Sequence, residues 1–157
     1  MRKILVSECL YGGEPVRYDG RSRAETHPVF IKWKEEGRLI PVCPEVVGGL
    51  PVPRPDARRV GDRIINRKGA DVTAEYIAGA VAAVELAREN NIAFAIMKEQ
   101  SPSCGSSRIY DGTFEDKKIP GAGITTEMLR AAGFMVFSEE ELEEAEKVLE
   151  QAEITSL

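Results

Sequence analysis

The sequence is poor in the residues that most often mark a site, with one histidine and three cysteines among its 157 residues. His27 has no second imidazole to pair with, so it is predicted to precede a helix or to lie on the surface. An odd number of cysteines in a chain without a secretion signal makes a disulfide framework improbable. Taken one at a time, the cysteines are typical of small buried hydrophobic residues.

Long apolar runs and an excess of positive charge are also missing. The apolar runs are too short for a membrane span, and residues 1–6 lack the apolar core of a signal peptide, so we expect a cytoplasmic protein with no membrane partner. A net charge of -5 argues against general nucleic-acid binding, because phosphate requires a basic face. The basic residues between positions 54 and 68 have two interpretations, a local basic patch or a solvated hairpin surface, and the second is favoured. The length predicts a single domain over residues 1–157, as a monomer or a homodimer.

What the chain does contain is a regular alternation of apolar patterns. These patterns predict strands over residues 3–6, 39–42, 92–97 and 134–137, and helices over 28–36, 73–90, 125–132 and from 138 onward. Thr73 and Thr125 are predicted N-caps. A small β-hairpin insert is predicted over 58–66, and the Pro- and Gly-rich segment 44–55 is predicted to be a stiff irregular loop. The order implies a doubly wound, mainly parallel α/β sheet of the three-layer Rossmann-like or flavodoxin-like type.

Each cysteine follows one of the predicted strands: Cys9 the first, Cys43 the second and Cys104 the third. Because the carboxyl ends of parallel strands meet at one edge of a sheet, we expect the three thiols to converge. Three converging thiolates are typical of a soft metal centre. Zinc held by three cysteines keeps one position open, and so does an iron-sulfur cluster. A zinc-binding or small-ligand module without catalysis, and a thiol-based sulfur carrier, are the alternative hypotheses.

Three separated motifs resemble the thiouracil desulfidase family, long catalogued as a domain of unknown function. They are residues 7–10 with 16–20, 43–46 with 48–50 and 53–54, and 101–105, and together they extend over nearly the whole chain. The resemblance implies a [4Fe-4S] cluster held by Cys9, Cys43 and Cys104. It implies further that the fourth iron binds the sulfur removed from a thiolated pyrimidine. The same resemblance suggests Glu45 and Ser101 as acid/base or substrate-orienting groups.

The chemistry of such a reaction is compatible with these residues. Replacing a thiocarbonyl sulfur by oxygen requires a thiophilic acceptor, an activated water and proton donors. Glu45 and Ser101 can supply the last two, although Glu45 can instead pair with an arginine and Ser101 can be a turn residue. Arg17, Asp19 and Arg54 are candidate substrate contacts, or else they brace the loops. The expected enzyme is a non-redox desulfidase with a small thiolated substrate and a cluster that handling in air can remove.

Overall fold

The computed structural model describes residues 1–21 and 23–155, in which strands and helices alternate along the chain. The elements are β1 (Ile4–Ser7), α1 (Glu8–Tyr11), α2 (Pro28–Glu35), β2 (Leu39–Val42), α3 (Pro44–Val47), β3 (Ala57–Val60), β4 (Arg63–Asn66), α4 (Thr73–Glu89), β5 (Phe94–Met97), β6 (Arg108–Tyr110), β7 (Lys118–Pro120), α5 (Ile124–Ala131), β8 (Val136–Ser138) and α6 (Leu142–Thr155). Strands β5 and β8 begin two residues later than predicted. In the described part of the chain, no helix combines the length and apolarity needed to cross a membrane.

The central sheet has four parallel strands in the order β2-β1-β5-β8. Counted within this sheet alone, the order is 2-1-3-4, the beginning of the flavodoxin-like order. The predicted doubly wound, mainly parallel α/β fold is therefore confirmed. The predicted hairpin insert is the antiparallel pair β3-β4, and a second antiparallel pair, β6-β7, follows the third strand of the sheet. Strand β7 has no counterpart in the prediction, because residues 106–123 show no clear period.

Helices cover both faces of the sheet, because successive strand residues point to opposite sides. Ile4 and Val6 share a core cluster with α2 and α6, while Leu5 belongs to the cluster formed with α4 and α5. On the α2 side, the Trp33 and Phe94 rings lie 5.8 Å apart between centroids. Both faces of the sheet are thus used for packing, which leaves its carboxyl-terminal edge as the place for a site.

Two short helices replace predicted loops at the cysteines. Helix α1 carries Cys9, and α3 begins immediately after Cys43, so the prediction of an irregular loop over 44–55 is wrong at its start. Pro44 occupies the first helical position, where its fixed φ suits the helix and its missing N–H costs nothing. The N–H of Val47 donates to the Cys43 carbonyl at 3.0 Å and closes the turn. Glu45 therefore projects from a helical turn.

The predicted helix caps have mixed outcomes. His27 precedes α2 as predicted, and its Nδ1 accepts the Val29 N–H at 3.1 Å. Thr73 and Thr125, in contrast, do not occupy the cap positions of α4 and α5, so those two predictions are wrong. Instead, Thr73 Oγ1 accepts an N–H from β4 at 2.8 Å, and Thr125 Oγ1 shares a 2.8 Å hydrogen bond with Ser103. Both hydroxyls connect a helix to a different segment of the fold.

Candidate metal centre

A cavity of about 290 Å³ lies at the carboxyl-terminal edge of the sheet. Its wall includes Ser7 at the end of β1, Val42 at the end of β2 and Lys98 directly after β5. The strand order reverses between β1 and β5, and open α/β sheets bind their ligands in the crevice beside such a switch point. The cavity is therefore in the position where this fold class is expected to carry a site.

All three cysteines line this one cavity. Cys9 comes from α1 after β1, Cys43 from the junction of β2 and α3, and Cys104 from the loop after β5. The three side chains are free thiols, and each reaches the cavity from the end of a different strand. The convergence expected from the parallel topology is thus present in the structure.

Burial controls the charge state of these thiols. It raises the pKa of Cys9 to about 12, although Lys98 and Arg17 act in the opposite direction. Burial likewise raises the pKa of Cys43 and of Cys104. As free side chains all three are neutral at pH 7. Because a cysteine binds metal as a thiolate, a bound cation has to supply the charge that stabilises the deprotonated form.

The donor groups on the cavity wall decide which metal centre the residues could hold. Among residues 1–21 and 23–155, no three His, Cys, Asp or Glu side chains come close enough to hold one metal ion. Zinc-sulfur bonds of about 2.3 Å require sulfurs within about 4 Å of one another. In a cluster the thiolates bind different irons, so their sulfurs are farther apart. Cys9, Cys43 and Cys104 are thiols on one cavity wall, the donor type that iron-sulfur clusters use, so they are the residues that could hold such a cluster.

The loop that carries Cys104 is held by a buried carboxylate, Glu99, which is 3% exposed. Its Oε1 accepts the N–H groups of Ser106, Ser107 and Arg108 at 2.8 to 3.2 Å, and its Oε2 accepts both serine hydroxyls at 2.7 and 3.0 Å. Burial alone would raise the pKa of Glu99, but these hydrogen bonds lower it to about 2. Glu99 is thus an ionised anchor that links the end of β5 to the start of β6.

Ser101 braces the same loop from the cavity side. Its Oγ accepts the N–H groups of Ser103 and Cys104 at 3.0 and 3.1 Å. Ser101 therefore acts as a turn residue, which is the alternative role that the sequence offers. The hydroxyl proton has no acceptor among the described residues, and Ser101 lines the cavity, so the group can still donate a hydrogen bond there.

The loop rests directly on the start of α5. The N–H groups of Ile124 and Thr125 donate to the carbonyls of Pro102 and Ser103 at 3.0 and 2.9 Å. A Cβ atom at Gly123 would lie 2.3 Å from the Ser103 carbonyl carbon, so only glycine permits this approach. The helix N-terminus is occupied by loop carbonyls, and Gly123 is the residue at which the loop packs on α5.

Glu45 lies in a hydrogen-bonded clamp at the cavity wall. Its Oε1 accepts Arg54 Nε at 3.1 Å and the Tyr76 hydroxyl at 2.7 Å. Arg54 is buried, and its two terminal nitrogens donate to the carbonyls of Val16 and Pro51 at 2.8 and 3.1 Å. The pairing of Glu45 with an arginine, which the sequence offers as an alternative, is present, and Arg54 braces three segments around the site.

The remaining two predicted substrate contacts differ in position. Arg17 lines the cavity, and its Nη2 lies 3.7 Å from Asp19 Oδ2. Asp19 is not one of the described residues that line the cavity, and its Oδ1 accepts the Arg21 N–H at 3.0 Å. The geometry therefore favours the bracing alternative for Asp19 and leaves Arg17 available to a ligand.

Comparison with known proteins gives this site a family. A family model described as 2-thiouracil desulfurase matches residues 4–141. The chain belongs to that family. It is 42% identical to the uncharacterized protein YbbK of Bacillus subtilis (strain 168), over 88% of this chain and 97% of the relative. It is also similar to a solved structure described as [4Fe-4S]-dependent thiouracil desulfidase TudS, with 48% identity, a TM-score of 0.93, and coverage of 96% of this chain and 99% of that one.

The resemblance stated from the three motifs is thus confirmed, and the TudS structure confirms the fold along nearly the whole chain. In this desulfurase-family chain, however, one prediction about the hairpin surface is wrong. Arg58 is 7% exposed and lies between the rings of Tyr110 and Phe114, at 4.4 and 4.9 Å from their centroids. Its guanidinium also pairs with Asp56 at 3.3 Å. Arg58 joins the two hairpin regions beside the cavity, a contact that the spacing of charged residues does not reveal.

Two further residues of this family member are at the site although the sequence patterns do not single them out. Tyr76 belongs to the apolar stripe of α4, yet its hydroxyl reaches Glu45. Lys98 lines the cavity beside the cysteines and pairs with Glu139 at 3.5 Å. The sequence offers one signal for Tyr76, which is its hydroxyl within an otherwise apolar helix face. A buried tyrosine hydroxyl usually has a hydrogen-bond partner.

Proposed function

We propose that this protein is an enzyme that removes sulfur from a thiolated pyrimidine, of thiouracil type, or from a related small thiolated compound. A thiocarbonyl and water are converted to a carbonyl and hydrogen sulfide, so one carbon-sulfur bond is replaced and no atom changes its oxidation state. The observation that carries the proposal is the meeting of three cysteines, Glu45 and Ser101 in one cavity. Family membership and the likeness to TudS support it.

The cofactor in this proposal is a [4Fe-4S] cluster. Cys9, Cys43 and Cys104 would hold it as thiolates, and the cations Arg17 and Lys98 lie near enough to Cys9 to favour that form. When bound, the cluster supplies an iron that no cysteine of this chain holds and that can accept sulfur. The cavity, at about 290 Å³ without the cluster, is at the small end of the range for ligand pockets, so the room beside a bound cluster suits only a small substrate.

The protein's own side chains orient the substrate and move protons. Glu45 accepts a proton from the attacking water through Oε2, since Oε1 is engaged by Arg54 and Tyr76. Ser101 donates its hydroxyl proton in a hydrogen bond to a ring nitrogen or oxygen of the substrate. Arg17 provides a second donor on the opposite loop. Apolar wall residues, Val16 and Val42, exclude bulk water from the reacting group.

The test is anaerobic reconstitution with iron and sulfide, followed by incubation with 2-thiouracil and assay of uracil and released sulfide. We expect the reconstituted wild type to carry iron and sulfide and to release both products. Cys9→Ala, Cys43→Ala and Cys104→Ala should fail to retain the cluster. Glu45→Gln should retain the cluster and lose about 10²- to 10⁴-fold in turnover, the usual effect of removing a proton-transfer group. Ser101→Ala should retain the cluster and turn over more slowly, because the substrate loses a hydrogen-bond donor.

Other outcomes would identify the competing functions. A colourless wild type that binds zinc and no iron under argon would favour a binding module. A covalent sulfur adduct on a cysteine, detected by mass spectrometry, would favour a sulfur carrier. A fully loaded wild type that acts on no thiolated pyrimidine would overturn the proposed function.

A further inference from the structure

Tyr76 is a core residue with one polar atom at the site. It is 2% exposed, and its ring packs among Ala57, Ile64 and Ala80. Tyr76 also lines the cavity, and its hydroxyl donates to Glu45 at 2.7 Å. A buried phenol that only filled space would be served equally well by phenylalanine, so the hydrogen bond is the feature that requires explanation.

Both donors to Glu45 select the same carboxylate oxygen. Arg54 Nε and the Tyr76 hydroxyl converge on Oε1 from two different elements. Among residues 1–21 and 23–155, no donor reaches Oε2. The clamp therefore fixes the torsion of the carboxylate and keeps Oε2 as the oxygen that is free for a molecule in the cavity.

The backbone holds the two helices of this clamp at a fixed separation. A Cβ atom at Gly79 in α4 would lie 1.8 Å from the Pro44 carbonyl oxygen, and one at Gly48 would lie 2.0 Å from the Glu75 carbonyl oxygen. Helices α3 and α4 thus touch backbone to backbone, one turn away from Tyr76. Because that contact leaves no room for adjustment, the distance between the phenol and the carboxylate is set by the fold.

We propose that Tyr76 is a positioning residue for the desulfidation, which fixes Glu45 so that Oε2 faces the reacting water. This inference rests on the proposed function for its catalytic meaning. In this role Tyr76 acts through its hydrogen bond to Glu45 and does not itself exchange a proton with the substrate. Its contribution is to keep the general base in one orientation, and a misplaced base costs rate even when substrate still binds.

The first test is Tyr76→Phe, loaded under argon and compared with wild type and with Tyr11→Phe. Tyr11 is a matched control, since its ring packs against Lys34 and does not line the cavity. We expect Tyr76→Phe to retain the iron content and absorption spectrum of wild type and a KM within about twofold. Its kcat should fall about 10- to 100-fold, as for the loss of a hydrogen bond to a charged group. Tyr11→Phe should keep the wild-type kcat.

The second test asks whether Tyr76 acts through Glu45. In a double-mutant cycle, Glu45→Gln combined with Tyr76→Phe should be no slower than Glu45→Gln alone, because the positioned group is already gone. A multiplicative loss in the double variant, or a wild-type kcat in Tyr76→Phe, would overturn the inference.

A crystal structure of Tyr76→Phe separates this inference from the proposed function. We expect the Glu45 carboxylate to be rotated or split between conformers while α3 and α4 stay in place. An unchanged Glu45 would overturn the role of Tyr76 even if the enzyme is a desulfidase. If loaded wild type turns over no thiolated pyrimidine, the proposed function fails. The orientation of Glu45 in the crystal structure of Tyr76→Phe still decides whether Tyr76 positions that carboxylate.

Discussion

Glu99, which is buried, and Glu139, which accepts the Glu99 N–H, have pKa values shifted in opposite directions. Burial raises the pKa of Glu139, although the Glu99 N–H and Lys98 offset part of the rise. Burial also acts to raise the pKa of Glu99, but the hydrogen bonds from Ser106, Ser107 and Arg108 outweigh it and lower the pKa to about 2. The difference arises because Glu99 accepts bonds from a whole loop, whereas Glu139 accepts a single N–H.

We predict that Glu99→Gln removes a pH-dependent stabilisation of about 3 kcal/mol at pH 7, the free energy equivalent of a pKa near 2 against an ordinary 4.5. A carboxylate whose pKa is lower in the folded state than in the unfolded state stabilises the folded protein at pH values above its unfolded pKa. This stabilisation is lost as the pH falls through the folded pKa. The difference in unfolding free energy between wild type and variant should therefore be full above about pH 4.5 and shrink toward pH 2.

Urea unfolding at a series of pH values measures this difference. Glu89→Gln, on the exposed end of α4, serves as a control and should change stability by less than about 0.5 kcal/mol. The lowered pKa would be wrongly assigned to Glu99 if wild type and Glu99→Gln differed by the same free energy of unfolding from pH 7 to pH 3.

At the scale of elements, the site depends on how closely helices and loops approach one another. Helix α3 follows a cysteine and carries Glu45, and it touches α4 at Gly79. The loop of Cys104 touches the start of α5 at Gly123 in the same manner. Each glycine lets a site-bearing segment lie directly on a helix backbone.

We predict that Gly79→Ala lowers stability although alanine is the better helix former. The helix propensity gained is about 1 kcal/mol, whereas a Cβ atom 1.8 Å from the Pro44 carbonyl forces α3 away at a cost of about 1 to 3 kcal/mol. Because α3 follows Cys43, the variant should also retain less iron after reconstitution than wild type. Calorimetry and iron assay measure the two effects.

The control for this variant is Ala78→Gly at the neighbouring exposed position of α4. It loses about 1 kcal/mol of helix propensity and introduces no contact with α3. It should therefore lower the melting temperature and leave iron retention unchanged. Equal iron loss in both variants would mean that general destabilisation, and not the displacement of α3, releases the cluster.

At the scale of the whole molecule, the three cysteines come from distant parts of the chain. They stand at positions 9, 43 and 104, each after a different strand of the central sheet. A group bound to all three would cross-link three strand ends in the folded state alone. Binding to the folded state alone raises stability by mass action.

We predict that reconstitution raises the melting temperature of wild type by about 5 °C or more, as expected for a stabilisation of a few kcal/mol in a chain of this length. Scanning calorimetry under argon, before and after loading, measures the rise. Cys104→Ala serves as the control and should show no rise. A rise of the same size in Cys104→Ala would mean that the added iron and sulfide act elsewhere on the protein.

The sequence by itself determined the order of strands and helices and the place of each cysteine after a strand. Both follow from local apolar periods, and the parallel topology then dictates that strand ends share one edge. The three motifs likewise identified the family. The short helices α1 and α3 were not predicted, because four residues are too few to show a helical period.

Only the tertiary structure decided which groups meet at the site. Glu45 and Tyr76 are 31 positions apart, and their hydrogen bond depends on the closeness of α3 and α4. Asp19 shares a motif with Arg17 but does not line the cavity wall as Arg17 does. Such contacts depend on backbone clearance and on the distances between packed elements, which no local pattern of apolar and polar residues encodes.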